Sequence, residues 1–449
     1  MVSVYERAVG AWKGLGKYRE ERERCKRYVF GDQWSDRINV GNGVMMKEED
    51  AIMSYGQLPL KNNILRRIVR NVIGVYRSQY YKVPMASPED YPEGMMKEVN
   101  RRRKRTFHEN RMEELVPRLL EEFLLSGLVA VKIAPARERG GVCRILPVTP
   151  DNFFFHSDGY DPRGWNVDLI GEMHAVSYAT LATRFCKSPE DLERLEALYG
   201  GCRENCSPCR VAEVWHLEER VMATVHDRRT GSMTVMPMEE AAERLRAGGP
   251  ALKTALKVGA TVSREWRRTW LAPDGSVLRE ERNAARMHPY VFKAYPFVDG
   301  EMHSYISDII DQQRYVNRLI TLYDFIMKSS AKGVLLFPDS SIPRGWDLQD
   351  VADEWARFNS VIPYRATPGV PMPTQVSVNS TNIGIAELLK IELQMLEDIS
   401  SVSPTLQGKL ETTATSGALF ARQNEAAQTS LLDILRSFGE MVRQIALAI

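Results

Sequence analysis

The stretch from Asp308 to Lys328 contains neither proline nor glycine, and its apolar residues recur at Ile309, Val316, Ile320, Tyr323 and Met327, in steps of seven, four, three and four. That spacing returns side chains to one face of an α-helix. A second stripe, Tyr315, Leu319, Leu322 and Ile326, lies one position, about 100°, around the same cylinder. The apolar surface is too wide for one neighbour, so the helix needs packing partners on two sides. Asp311, Arg314, Arg318, Thr321 and Lys328 complete the circumference as a polar stripe. A helix buried inside one large fold has the same periodicity, so the choice between readings rests on the rest of the chain.

Beyond this helix, Ala331 to Pro338 reads as a short strand, Asp347 to Phe358 as a short helix opened by Asp347, and Ser360 to Tyr364 as another strand. After a proline-rich turn, Asn379 or Ser380 caps a second long helix carrying Ile385, Leu388, Leu389, Met395, Leu396 and Ile399. Pro404 ends it. Leu406 to Ala418 is small and polar, which predicts a mobile loop. Ser416 then caps a last helix with Phe420, Ala427, Leu431, Ile434, Phe438, Met441 and Ile445 in near-heptad rhythm.

This order resembles the stem, clip, stem, tunnel loop and closing helix of tailed-phage portal proteins, the head-to-tail connectors. The phrases that carry the resemblance are Ile310-Asp311-Gln312-Gln313-Arg314-Tyr315-Val316-Asn317-Arg318, then Ser330-Ala331-Lys332-Gly333-Val334, then Thr415-Ser416-Gly417-Ala418 followed by Arg422-Gln423-Asn424-Glu425. Nearer the N-terminus, Tyr28-Val29-Phe30-Gly31-Asp32-Gln33-Trp34 is similar to an early helix-ending phrase of the family, and Leu60-Lys61-Asn62-Asn63 precedes its next helix, Ile64 to Tyr76, with Gly74 at a position usually small. The resemblance covers most of the chain in order. It implies an α+β fold: a mixed α/β wing over residues 1–302, a first stem helix over 303–331, a clip over 332–378, a second stem helix over 379–402, a tunnel loop over 403–416 and a closing helix over 417–449. The chain reaches Ile449 inside a helical rhythm, a departure from many portals that implies a minimal crown or a shortened chain.

Composition agrees with a multi-domain component. At 449 residues and 44% hydrophobic, the chain can bury two or three cores. Its formal net charge is +2, far from the basic excess of a protein that clamps phosphates by releasing counterions. A conduit for DNA has the opposite need, a wall that does not hold the polymer. Glu387, Glu392, Glu397 and Asp398 against one Lys390 on the second long helix suit such a wall, and equally an ordinary solvated face. The stretch from Tyr5 to Lys26 is polar and charged, and no run approaches the roughly 18 apolar residues of a membrane span. A chain without signal peptide or span folds in a cytoplasm, where its six cysteines stay reduced.

Ahead of the first stem, helices are expected over Val4–Val29, Lys61–Gln79, Met112–Leu125, Tyr178–Cys186, Pro189–Leu198 and Met238–Ala247. Strands are expected over Leu128–Ile133, Arg144–Pro147, Phe153–Phe155, Val211–Leu217, Ala223–His226 and Ser232–Met236.

Three local features invite chemistry. Cys202, Cys206 and Cys209 have the Cys-x3-Cys-x2-Cys spacing with which radical-SAM enzymes hold an iron–sulfur cluster, and could equally supply zinc ligands with Cys186 or His216 as a fourth. Some two hundred residues precede the triad and no repeated βα pattern follows, so unliganded thiols are the favoured reading. Arg101-Arg102-Arg103-Lys104-Arg105 is a phosphate-contacting patch or, in the favoured reading, the solvated end of a helix starting near Gly94. Asp158, Asp161 and Asp168 near His156 and His174 lack a spacing that would converge them on a metal. The chain has no Gly-x4-Gly-Lys-Ser/Thr loop, no Gly-x-Ser-x-Gly elbow and no His-Glu-x-x-His. The expectation is a non-enzyme that uses no cofactor.

The resemblance implies a homo-oligomeric ring, commonly a dodecamer, at one vertex of a phage or prophage capsid, assembled in the bacterial cytoplasm. Its partners would be capsid and scaffold proteins, the terminase large subunit, double-stranded DNA without sequence preference, and head-completion or tail adaptors, with no membrane. Within that frame Ile320, Tyr323, Met327, Leu389 and Phe438 are the interface candidates between copies. Gln407, Lys409, Glu411, Thr412 and Thr413 would face the channel, and Arg344, Trp346 and Arg365 would be clip contacts. The rival readings are a metal-cluster protein built on the cysteine triad and another ring-forming phage structural protein.

Overall fold

The computed structural model describes the chain except for residues 1–2, 81, 87–91, 137–140, 158–165, 228–229, 248–255, 283–286, 333, 357–360, 367, 377–382, 403–428 and 430. The fold is α+β, and it divides into two compact units. The first comprises Met1–Lys26, Val72–Ser307 and Gln428–Ile449, and the second Arg27–Asn71 and Asp308–Ala427.

The first unit is organised by two antiparallel sheets. In the larger, the strands run in the order Val277–Arg282, Leu256–Leu271, Cys209–Asp227, Val167–Val176 and Phe153–Ser157. Cys209–Asp227 is one continuous strand where two were expected, because Glu218 and Glu219, which break the apolar pattern, are paired across the sheet with Arg267 and Arg264. Its inner half pairs with Val167–Val176, from Cys209 opposite Val176 to His216 opposite Leu169, and its outer half with Met233–Pro237. The helix Met238–Ala247 covers that outer half by burying Ala241 against Ala223, Val225 and Met236.

The smaller sheet has the order Tyr290–Ala294, Leu128–Ala134, Arg144–Val148. The helix Met112–Ser126 feeds its central strand through Gly127, which closes the helix at φ +69°. A Cβ there would sit 2.1 Å from the His303 carbonyl oxygen, so only glycine satisfies both the turn and the contact. Phe153, Ile170, Trp215, Trp266 and Tyr290 form one core cluster, and Leu195, Tyr199, Val211 and Trp270 another. At the N-terminus the expected single helix is two, Val4–Gly14 and Gly16–Phe30, the break falling between two glycines.

The C-terminal helix Leu432–Ala448 buries Leu435, Phe438, Met441, Val442 and Ile445 within this unit. Phe438 meets Tyr76 edge-on at 5.1 Å between centroids and Phe123 at 5.8 Å. It is fully buried, which corrects its assignment to an interface between copies: its heptad position serves the chain's own core.

The second unit is built on the helix Ser307–Lys332, with Ile64–Val75, Ile383–Ser400 and the short helix Leu348–Ala356. Val334–Leu336 pairs with Thr374–Val376 as a two-stranded antiparallel ribbon. Residues 361–364 form no ladder, although a strand was expected there.

Candidate functional site

The three phrases quoted from residues 28–34, 60–63 and 310–318 converge on one buried polar network in the second unit. Gln313, Asn317 and Thr321 stand four residues apart on the long helix, hence on one face, and all are buried. Gln313 Oε1 accepts from the Ile64 and Leu65 amides at 3.1 and 3.3 Å, so a distant side chain satisfies the first free N–H groups of another helix. Its Nε2 donates to the Asn62 carbonyl at 2.7 Å and to Asn317 Oδ1 at 3.0 Å. Asn317 Oδ1 also accepts from the Asn62 amide at 3.0 Å, and Thr321 Oγ1 from the Leu60 amide at 3.1 Å. Asn317 Nδ2 donates to Gln33 Oε1 at 2.6 Å, and Gln33 Nε2 continues to the Tyr28 carbonyl at 2.9 Å. Asn63 caps its own helix locally, its Oδ1 accepting from the Arg66 amide at 3.1 Å.

An ion cluster adjoins this network. Glu48 is buried and receives Arg314 at 2.8 Å and Arg318 through Nε at 2.6 Å. The polar stripe read from sequence included Arg314, Arg318 and Thr321 but missed Gln313 and Asn317. The signal that could have found them is their four-residue spacing beside the apolar Val316 and Leu319.

Two apolar faces on the same unit are exposed among the described residues. Tyr315 and Leu322 lie on one stripe of the long helix, and Ile391, Met395 and Ile399, in steps of four, on Ile383–Ser400. Of the interface candidates, Met327 is exposed and Ile320, Tyr323 and Leu389 are half-buried. Arg344 and Arg365 are exposed and line a shallow cleft with Pro343, Pro363 and Tyr364, while Trp346 is half-buried and donates its amide to the Pro343 carbonyl at 3.2 Å. The channel candidates Gln407, Lys409, Glu411, Thr412 and Thr413 lie outside the described residues, as do the cap candidates Asn379, Ser380 and Ser416.

The chemical motifs disperse. Cys202 ends a helix, Cys206 occupies an exposed turn at φ +51°, and Cys209 is buried at the head of the long strand. Burial pushes the Cys209 thiol up, and its contact with Cys202 adds to this. Among the described residues no group of three or more His, Cys, Asp or Glu side chains is placed to hold a metal ion. Asp158 and Asp161 lie outside the described residues; Asp168 pairs with Arg7 and His156, whereas His174 turns to Glu213 at 3.0 Å. The basic run sits within the helix Glu93–Glu109 and is not one patch: Arg103 is buried, Arg101 pairs with Glu98 and Arg105 with Glu109.

Glu213 is a strongly held carboxylate of the first unit. It is fully buried, which favours its neutral form, but hydrogen bonds from His174 and from Lys132 at 2.5 Å, with Trp215 Nε1 at 3.0 Å, overcome burial and hold its pKa at about 2. This cluster ties the two sheets together, Lys132 standing on the smaller and Glu213 on the larger.

The family model for phage P22-like portal proteins matches residues 5–449. The chain belongs to that family. No curated protein sequence matches it. Portal proteins are structural components of the phage head and act as homo-oligomeric rings, so the surfaces above belong to an assembling subunit. No helix among the described residues is long and apolar enough to cross a membrane.

Proposed function

We propose that this portal subunit forms a closed ring of twelve copies at one capsid vertex, through which terminase drives double-stranded DNA inward and through which the DNA later leaves. The ring nucleates procapsid assembly with capsid and scaffold proteins, docks the terminase large subunit, and afterwards binds head-completion or tail adaptors. Residues 1–302 act as the wing, the helices near 303–331 and 379–402 as the stem, 332–378 as the clip, 403–416 as the tunnel loop and 417–449 as the closing segment.

The observation that carries this reading is the pair of exposed apolar helix faces, Tyr315 and Leu322 on one helix and Ile391, Met395 and Ile399 on the other. A monomer would leave these large side chains in water, whereas a ring buries them at every repeat. Ile320, Tyr323 and Leu389 flank them as further contacts. Glu387 and Asp398, exposed on the second helix, give a wall that repels phosphate, and Lys409 adds a weak, salt-screened contact that a moving duplex makes and breaks. The clip surface with Arg344, Trp346 and Arg365 is the docking end.

A packaging assay tests the reading. Procapsids assembled with the chain are expected to fill with DNA when terminase and ATP are added, and procapsids assembled without it to stay empty. Equal filling of both would overturn it.

A further inference from the structure

The helix Pro189–Glu204 ends in a reversal that folds the chain back beside its own last turn. The Ser207 amide donates to the Cys202 carbonyl at 2.9 Å and the Cys206 amide to the Arg203 carbonyl at 3.3 Å. Cys206 itself stands at φ +51°. That pair of bonds around a left-handed residue is the Schellman helix stop. Pro208 has no amide with which to resume a helix, and the strand Cys209–Asp227 starts at the next residue. The reversal therefore seats Cys202 at its entry and Cys209 at its exit.

The two thiols meet there. Cys209 is fully buried and Cys202 half-buried, and both pack in the cluster of Leu195, Tyr199, Val211 and Trp270. The Cys202 side chain interacts with the Cys209 sulfur. Both ends of the pair are anchored. Cys209 stands opposite Val176 in the larger sheet, and the Tyr199 hydroxyl donates to the Arg210 carbonyl at 2.9 Å, which ties the helix to the first residues of the strand. Cys206 is exposed at the turn between them, and Cys186 packs against the same cluster.

We propose that Cys202 and Cys209 are a dithiol that closes to a disulfide in an oxidising medium and so fastens the end of the helix to the start of the strand. The oxidant is a small-molecule disulfide. Cys202, the more accessible of the two, attacks one sulfur of that molecule as its thiolate, and one small thiol leaves. The Cys209 thiolate then attacks the Cys202 sulfur: the Cys202–Cys209 bond forms, the mixed bond breaks, and the second small thiol leaves. Two protein thiols are oxidised, one small disulfide is reduced, and the two protons end on the departing thiols. Burial keeps Cys209 protonated at neutral pH, which slows the second step. The pair thus stays open during assembly in a reducing cytoplasm and closes in a released particle. That setting rests on the portal reading above, whereas the bond lies within one chain and forms with or without a ring.

Peptide mass mapping tests it on the purified full chain, incubated with oxidised glutathione at about pH 8 and quenched with N-ethylmaleimide in denaturant. The expected product joins Cys202 to Cys209 and leaves Cys206 outside the bond. Oxidation is expected to raise the thermal midpoint of the unsubstituted chain and of Cys206→Ser, but not that of Cys202→Ala, which keeps the buried Cys209 in place. Cys209→Ala is expected to stop at glutathione on Cys202. A Cys202 bond to Cys206 or Cys186, or recovery of both Cys202 and Cys209 as maleimide adducts after prolonged oxidation, would overturn the inference. So would a bond that forms only in denaturant or that leaves the midpoint unchanged. Failure of the chain to form rings would count against the portal reading and leave these outcomes unaffected, so the two failures are distinguishable.

Discussion

Gln313 caps the helix that begins at Ile64, 249 residues earlier, its Oε1 accepting the Ile64 amide at 3.1 Å. One side chain thereby fixes where a helix starts, which neighbour it starts against, and the path of residues 60–63 along the long helix. Gln313→Ala leaves the buried Leu65 amide without its Oε1 partner, and a buried orphan costs about 1–3 kcal/mol, whereas the Ile64 amide and the Asn62 carbonyl keep their mutual bond at 2.9 Å. The expected outcome is a lower thermal midpoint and a lower urea midpoint. Unchanged midpoints would show that water replaces the side chain.

Glu48 gives a second test of the same unit. Glu48→Ala leaves Arg314, itself largely buried, with only the exposed Asp311 carboxylate at 3.9 Å, and breaking a buried pair on one side costs about 3–5 kcal/mol. Arg318 is half-exposed and returns to water, so Arg318→Ala is expected to cost far less. Urea titration of the two variants checks the order.

Why part of this was legible and part was not follows from the range over which each signal acts. The long helix is written locally, in a run without proline or glycine, and Ser307–Lys332 encloses it. The phrases around Gln33, Asn62 and Gln313 were legible as phrases, yet their chemistry depends on contacts across some 250 residues that no local pattern encodes. Periodicity reports that a face is buried and not by what, and for this reason Phe438 read as an interface residue when Tyr76 and Phe123 cover it. The cysteine triad converges only in part, since Cys209 at the strand start touches Cys202 near the helix end while Cys206 occupies an exposed turn.

Phe438 and Leu322 separate folding from assembly. Phe438→Ala empties a fully buried aromatic site and is expected to cost about 3–5 kcal/mol, lowering soluble yield. Leu322→Asp changes an exposed position and is expected to leave the helical circular dichroism signal intact while preventing ring formation. Equal loss of soluble protein in both would contradict the distinction.

Acid sensitivity has a calculable sign. The Glu213 pKa lies near 2 in the folded chain against an ordinary 4.5, so the unfolded chain binds the extra proton between those values, and stability present above pH 4.5 is lost as the pH falls through that window. The loss is on the order of 3 kcal/mol. His288 lies at about 4 against 6.5, because burial against Trp266 disfavours its charged form. Its contribution is therefore lost earlier, as the pH falls from 6.5 towards 4. Urea midpoints measured from pH 7 to pH 3 are expected to fall throughout, and Glu213→Gln to flatten the segment below pH 4.5. A flat profile would contradict both assignments.

The central claim is a closed ring of this chain. Native mass spectrometry of the purified protein, read beside negative-stain class averages, tests it most directly. The account predicts a single dominant mass at twelve times the 51.1 kDa subunit and end-on views with a central channel. A chain that stays monomeric at micromolar concentration, or that grows into open filaments, would contradict it.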